Sequence, residues 1–449
     1  MSNAVRTRGK AFPLKNAIFS LSLVLSSCMT MADYNFARID ANLAAGNYAA
    51  VSAELDEKKS VLYGSHDEVL RLLDAGLVAH FDGRTDESNR ALSEAEALMQ
   101  SYRATSVSQT IASLMTNDLV QDYAGDPFED IYANLFMALN YLEQGAQDEA
   151  MVEIRRFDSK LKNLRADYET QIAAIERANA DEGATVKKVS IQFHDSALAR
   201  WLSMLLYRAD GDADNAAVDY KYMQSAFQTQ ADLYDFALPS TVNADRAASK
   251  NDARLNVLAF YGRAPVKKEE VVRAYSWRGT VWYKLALPHM EKRPTAITRV
   301  TVTATSLTTG ERFTQTLEKL ESMEAICADT FQQKYSLLFT KALLRSIAKT
   351  AANTTFHTIS HEADDKGVAA LFTMLDIATK VSNELTERAD VRTSRYFPAY
   401  ASVTGMTVPP DDYAVNIQFF AGKGVTYQET KHVSVRAGAL NFVETACLR

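Results

Sequence analysis

The sequence predicts an α+β chain: an all-α half built of helical hairpins, then a β-rich, sandwich-like half carrying a helical insertion. Three observations predict it. First, glycines at 46, 83, 145 and 211 each divide two runs whose apolar residues recur every three or four positions. Second, that periodicity stops after Pro239 and short alternating runs begin. Third, a long helical pattern interrupts those runs between about 322 and 390. The 449 residues are 47% hydrophobic and 10% aromatic, enough for real cores. The formal charge of -7, with no extended basic stretch, argues against nucleic-acid binding.

The first 27 residues read as a leader. Arg6, Arg8, Lys10 and Lys15 precede a short apolar run from Ala17 to Leu25, which is too short for a comfortable membrane span. Leu25-Ser26-Ser27-Cys28 then resembles the lipobox of bacterial lipoproteins. The resemblance implies that Cys28 is acylated and becomes the mature first residue, anchoring the protein to a membrane through lipid. Met29 stands where such lipoproteins carry aspartate when they stay in the inner membrane, so the expected address is the outer membrane, facing the periplasm. Cys327 and Cys447 are the other cysteines. An oxidising compartment would allow them to pair, and spacing alone leaves pairing open.

Residues 28–240 form the helical half. Around Gly145, Ala138 lies seven before and Tyr141 four before, with Ala150, Ile154 and Phe157 five, nine and twelve after. Around Gly211 the same offsets carry Met204, Tyr207, Ala216, Tyr220 and Met223. Gly76, Leu92 and Ala95 hold them around Gly83, and Tyr48, Val51 and Leu55 follow Gly46. This layout resembles the tetratricopeptide repeat, two antiparallel helices joined at a glycine turn. The turns are 37, 62 and 66 residues apart, so the resemblance is to a divergent solenoid. Its concave face is expected to bind proteins through polar residues of each first helix, such as Asn134 and Asn140, or through the helix around Glu169. Tyr141 and Tyr207 are expected to pack within or between hairpins. Residues 29–240 are expected to fold alone.

Residues 241–449 form the β-rich half. Strands are expected at Leu255–Tyr261, across TVWYKLALP up to Pro288, and along AITRVTVTATS with a turn at Thr309-Gly310. Helices are expected over about 324–352 and 366–388. Strands return in YAVNIQFF, HVSVRAG and LNFVET, and the final ones are expected to pair with 297–318. The segments Gly262–Lys267, Ala286-Leu287-Pro288, Arg345–Lys349, Ala389–Arg392 and Pro409–Tyr413 resemble an uncharacterised family of bacterial lipoproteins with tetratricopeptide-like helices. That resemblance implies partners among small envelope lipoproteins related to the curli secretion channel.

No motif points to a reaction. There is no G-x-S-x-G elbow and no P-loop. His357 and His361 stand four apart with Glu362 next, a spacing that could hold a metal on one helix face, but there is no H-E-x-x-H and Thr354, Thr355 and Thr358 argue against a helix, so they read as exposed polar residues. Asp210–Asp214 suggests calcium, but the sixth and twelfth loop positions are Asn215 and Lys221, so it reads as a turn and helix start. Arg345, Lys349, Arg392 and Arg395 read as solvated or paired with acids such as Asp390. The expected function is therefore a protein-interaction scaffold or accessory subunit of an envelope assembly or secretion complex, without catalytic residues, metal or cofactor. The alternatives are an envelope enzyme acting on peptidoglycan or peptide from the carboxy half, and a surface ligand-binding lipoprotein.

Overall fold

The apolar run at Leu255–Tyr261 forms strand β1 (Arg254–Tyr261), which is buried on both faces. Alternate side chains of a strand point opposite ways. Leu258 and Phe260 enter a core shared with the helices, while Leu255, Val257 and Ala259 enter a second core between two sheets. One strand thus belongs to both halves of the chain. The computed structural model describes residues 34–108, 118–178, 192–275, 282–352 and 388–449. Cys28, His357, His361 and the expected helix over 366–388 lie outside them.

The other strands of the first sheet are β6 (Glu318–Ser322), β7 (Tyr400–Thr407) and β10 (Asn441–Cys447), in the order β10-β1-β7-β6. β10 runs parallel to β1, and β7 antiparallel. The second sheet is antiparallel: β4 (Ile297–Ser306), β5 (Arg312–Thr316), β8 (Asp411–Ala421) and β9 (Gly424–Val435), in the order β5-β4-β8-β9. Its inner face supplies Val300, Val302, Val415, Ile417 and Phe419 to the core between the sheets. The hairpin turn at Gly310 (φ 74°) lies where the sequence predicts it. The expectation that the final strands pair with 297–318 holds for β8 and fails for β10, which pairs with β1 instead.

A separate hairpin, β2 (Arg263–Tyr275) and β3 (Trp282–Arg293), is covered by helix α11 (Met323–Ala352). β3 does not stop at Pro288 but continues to Arg293. Both strands of a two-stranded sheet are edges, so a proline there forfeits no central ladder bond.

Eight of the helices form four antiparallel hairpins: α1 (Ala37–Ala44) with α2 (Tyr48–Glu57), α4 (Glu68–Phe81) with α5 (Thr85–Ser108), α6 (Pro127–Glu143) with α7 (Gln147–Ala178), and α8 (Ala197–Asp210) with α9 (Ala213–Thr229). Short α3 (Lys59–Leu62) and α10 (Thr241–Ala247) complete the set. Every hairpin closes with one geometry. Gly46, Gly83, Gly145 and Gly211 have φ of 72°, 74°, 74° and 80°. The residue after each donates its N–H to the carbonyl five residues back: Asn47 to Asn42, Arg84 to Ala79, Ala146 to Tyr141, Asp212 to Tyr207. This is the Schellman closure, which needs a residue that tolerates positive φ. Asp212 then caps α9 by accepting from the Asn215 N–H at 3.0 Å, so the acidic run is a helix boundary.

The first helices of the later hairpins, α4, α6 and α8, face the first sheet. α6 is buried at every position from Phe128 to Asn140. Phe136 packs on Phe260 (5.5 Å between ring centres) and on Phe397 (5.9 Å), and Trp201 of α8 on Phe442 (6.1 Å). The order of layers is helices, sheet, sheet. Accordingly Asn134 and Asn140 are both wholly buried, which overturns their expected role on an open recognition face. Tyr141 and Tyr207 are partly buried against the core.

Candidate functional site

Three polar clusters lie on the seam between helices and sheets. In the first, Glu321 on β6 is fully buried and takes donors from three parts of the helical half. Tyr132 Oη of α6 donates at 2.5 Å, Ser196 Oγ at 2.8 Å, the Leu198 N–H at 3.1 Å and Tyr234 Oη at 2.9 Å. Burial pushes its carboxyl above the ordinary glutamate range, against the pull of those donors.

The second cluster ties α6, β2 and α11 to the segment after residue 388. Asp126 precedes α6, where Pro127 starts the helix and Glu129 Oε2 accepts the Asp126 N–H at 2.6 Å. Its carboxylate sits between Lys267 Nζ (2.6 Å) and Lys334 Nζ (2.5 Å). Burial alone would raise the Asp126 pKa, but the two ammonium groups bring it below the ordinary value. Arg392 pairs with Asp390 at 2.9 Å, as the sequence suggests, and also with Asp67 at 3.1 Å. Burial again opposes ionisation of Asp390, and Arg392 overrides it, holding the pKa at about 2. Arg395 lies 3.7 Å from Asp40. Alongside, Asp74 of α4 accepts from Tyr63 Oη (2.9 Å) and Ser394 Oγ (2.6 Å), and burial raises its pKa to about 7. Asp126, Lys267 and Arg392 are buried and paired, which makes this cluster an interior pin.

The third cluster opens to solvent as a cleft of about 90 Å³. Its walls come from α2, α4, α6, β9 and β10. At its base His80 spans the seam: Nδ1 is 2.7 Å from Asn140 Oδ1 and Nε2 is 2.8 Å from Glu444 Oε1. Asn140 Nδ2 donates to Ser88 and Asn89, both at 2.8 Å, which fixes its oxygen toward His80. Both imidazole nitrogens therefore face acceptors, an arrangement that favours the doubly protonated ring. Burial disfavours this imidazolium, but Glu444 and the two hydrogen bonds outweigh it, so the His80 pKa lies above the ordinary value. A histidine with both nitrogens committed is a clamp rather than a general base. Around it stand Tyr48, Phe81 and Tyr427, and the acids Glu143 and Glu429. Burial, then the neighbouring Glu429 carboxylate, pushes Tyr427 up to about 12.

Sequence reasoning placed the four turn glycines and suggested the Arg392–Asp390 pair, but missed the rest of the three clusters. His80, Glu321 and Lys267 stand in helix or strand patterns with nothing local to set them apart. Gly46 has one link to the cleft: a Cβ there would lie 3.2 Å from the Tyr427 ring. Cys327 and Cys447 are unpaired, buried thiols in different cores. Among the described residues no helix is long and apolar enough to cross a membrane, and no group of His, Cys, Asp and Glu has the arrangement of a metal site. No protein-family model, no curated protein and no solved structure matches the chain.

Proposed function

We propose that this protein is an outer-membrane lipoprotein, anchored through Cys28 and facing the periplasm, that acts as an interaction scaffold or accessory subunit of an envelope assembly or secretion complex. Small envelope lipoproteins are the partners this reading favours. The observation that supports it most is the fourfold recurrence of one hairpin closure, with shared offsets on either side of the turn glycine. Such recurrence is the hallmark of tetratricopeptide-like arrays, whose business is binding other proteins. The reading differs from the sequence expectation in one respect. The first-helix face is filled by the protein's own sheet, so partners meet the second helices instead. There Val152 of α7 is 49% exposed, and Val218 and Tyr222, one turn apart on α9, are 45% and 48% exposed.

The test has two arms. Cys28→Ala is expected to release the protein from membranes or leave its leader uncleaved, and unchanged fractionation with normal maturation would remove the anchor. A photo-crosslinking residue at Tyr222 is expected to trap an envelope protein in living cells, while one at Leu307, exposed on the far sheet, traps none. Equal trapping at both positions, or hydrolysis of a cell-wall or peptide substrate by the purified protein, would sink the scaffold reading.

A further inference from the structure

We propose that the seam cleft binds an organic cation, an alkylammonium or guanidinium group, seated against the Tyr48 and Tyr427 rings and held by the carboxylates of Glu143 and Glu429. This does not depend on the scaffold reading.

The argument begins with charge. His80 is bonded to Glu444 at 2.8 Å, so that pair satisfies itself at the base. Two acids remain on the wall, Glu143 and Glu429, against one cation, Lys431. The remainder is negative and favours a positive guest. The second observation is independent of that count. Oε1 of Glu429 is shut away from solvent and has no hydrogen-bond partner among the described residues. The same holds for Oγ1 of Thr445, a cleft residue only 3% exposed. The other oxygen of Glu429 receives only a long contact from Tyr427 Oη, at 3.4 Å. A carboxylate oxygen shut away without a donor is costly, and a guest that draws the Glu429 side chain round to its N–H removes that cost.

Size and surface narrow the guest further. A cleft of about 90 Å³ holds about six waters, and hence the end of a side chain rather than a nucleotide or a sugar chain. Its walls carry Tyr48 and Phe81, 5.7 Å apart between ring centres, with Tyr427 across from them. Aromatic faces attract cations and accept the methylene stem of a lysine. Shared by a free diamine and by a lysine of a partner protein, this chemistry leaves the source to experiment.

Isothermal titration of the purified protein with cadaverine and with N-acetyl-lysine-methylamide tests the proposal, with acetate as the anionic control. Saturable binding of at least one amine is expected. Glu143→Gln and Glu429→Gln should each weaken it about tenfold, the loss of one charge-assisted hydrogen bond. Lys431→Met should strengthen it, because a competing cation is gone. Glu143 is exposed, so its variant keeps the fold, and circular dichroism checks the others. Preference for the blocked lysine assigns the cleft to a partner's side chain, and preference for cadaverine assigns it to a free amine. The proposal falls if neither amine binds, if the glutamine variants bind as well as the parent, or if acetate binds and Lys431→Met abolishes it.

Discussion

Replacing Glu321 with leucine should be among the most damaging single changes on the seam. The side chain is 0% exposed and serves four donors: the hydroxyls of Tyr132, Tyr234 and Ser196, and the Leu198 N–H. Leucine fills much of the volume and accepts nothing. Each orphaned donor costs about 1–3 kcal/mol, so four amount to about 4 kcal/mol at the low end. A domain is stable by only about 5–15 kcal/mol, so the loss should approach global unfolding. Glutamine is the informative comparison. Its oxygen still accepts, and a hydroxyl such as that of Tyr132 can turn to accept from the new amide, so it should cost about 1 kcal/mol. Urea unfolding followed by helical ellipticity and by tryptophan fluorescence gives both values. If the leucine variant loses less than about 1 kcal/mol, the four contacts are not what holds the helices to the sheet. If glutamine costs as much as leucine, the charge and not the set of donors is what counts.

Five further outcomes follow from the same geometry. Asp74, with its pKa raised from 3.8 to about 7, keeps its proton in the fold where the unfolded chain loses it. Stability should therefore fall as pH rises between those values, by an amount on the order of 4 kcal/mol that Asp74→Asn removes. His80 adds to this fall at higher pH. Its raised pKa makes its contribution complete below the ordinary histidine value and lost as pH rises through the folded one, so a His80→Gln melt should show a flatter alkaline limb. Gly145→Ala should cost about 1 kcal/mol, since its φ is 74° but nothing stands near the added Cβ. Gly76→Ala should cost about 1–3 kcal/mol for the opposite reason, a Cβ 2.7 Å from two Leu92 carbons, and equal melting of the wild type and this variant would refute the close approach of α4 and α5. Contrary to the expectation that 29–240 folds alone, residues 34–247 should bind a hydrophobic dye and aggregate when expressed alone, because Leu258, Phe260 and Val403 complete their core, and should be rescued by co-expression of 248–449. A soluble, cooperatively melting fragment would show that the sheet is dispensable to the helices.

Local chemistry made the hairpins legible. A glycine needed at positive φ and small residues opposite it leave a signature within a dozen residues; Gly145 carries it in full, and Gly83 and Gly211 in part. Strand β1 was legible as an apolar run, because a strand buried on both faces cannot alternate. The buried acids were illegible. Glu321 looks like any glutamate in LEKLESME until residues from 132 to 234 close over it. Asn134 and Asn140 misled because a polar residue on an amphipathic helix normally marks the wet face. Here α6 has no wet face along its middle. Asn140 Nδ2 is bonded to Ser88 and Asn89, and Asn134 Nδ2 to Glu153 at 2.6 Å.

By itself the sequence determined where helices turn, where several of the strands run, and that the chain is α+β, but it did not show β2 or β7. Each of those depends on φ preferences and on periodicities of 3.6 and 2, which neighbours in the chain set. Tertiary structure alone decided what covers the first helices, which strand lies parallel to β1, and which acids meet His80, Lys267 and Tyr132. Those contacts join residues up to 364 positions apart, as His80 and Glu444 are. Their partners are chosen by the burial of two faces of one strand, a long-range condition that no local window contains.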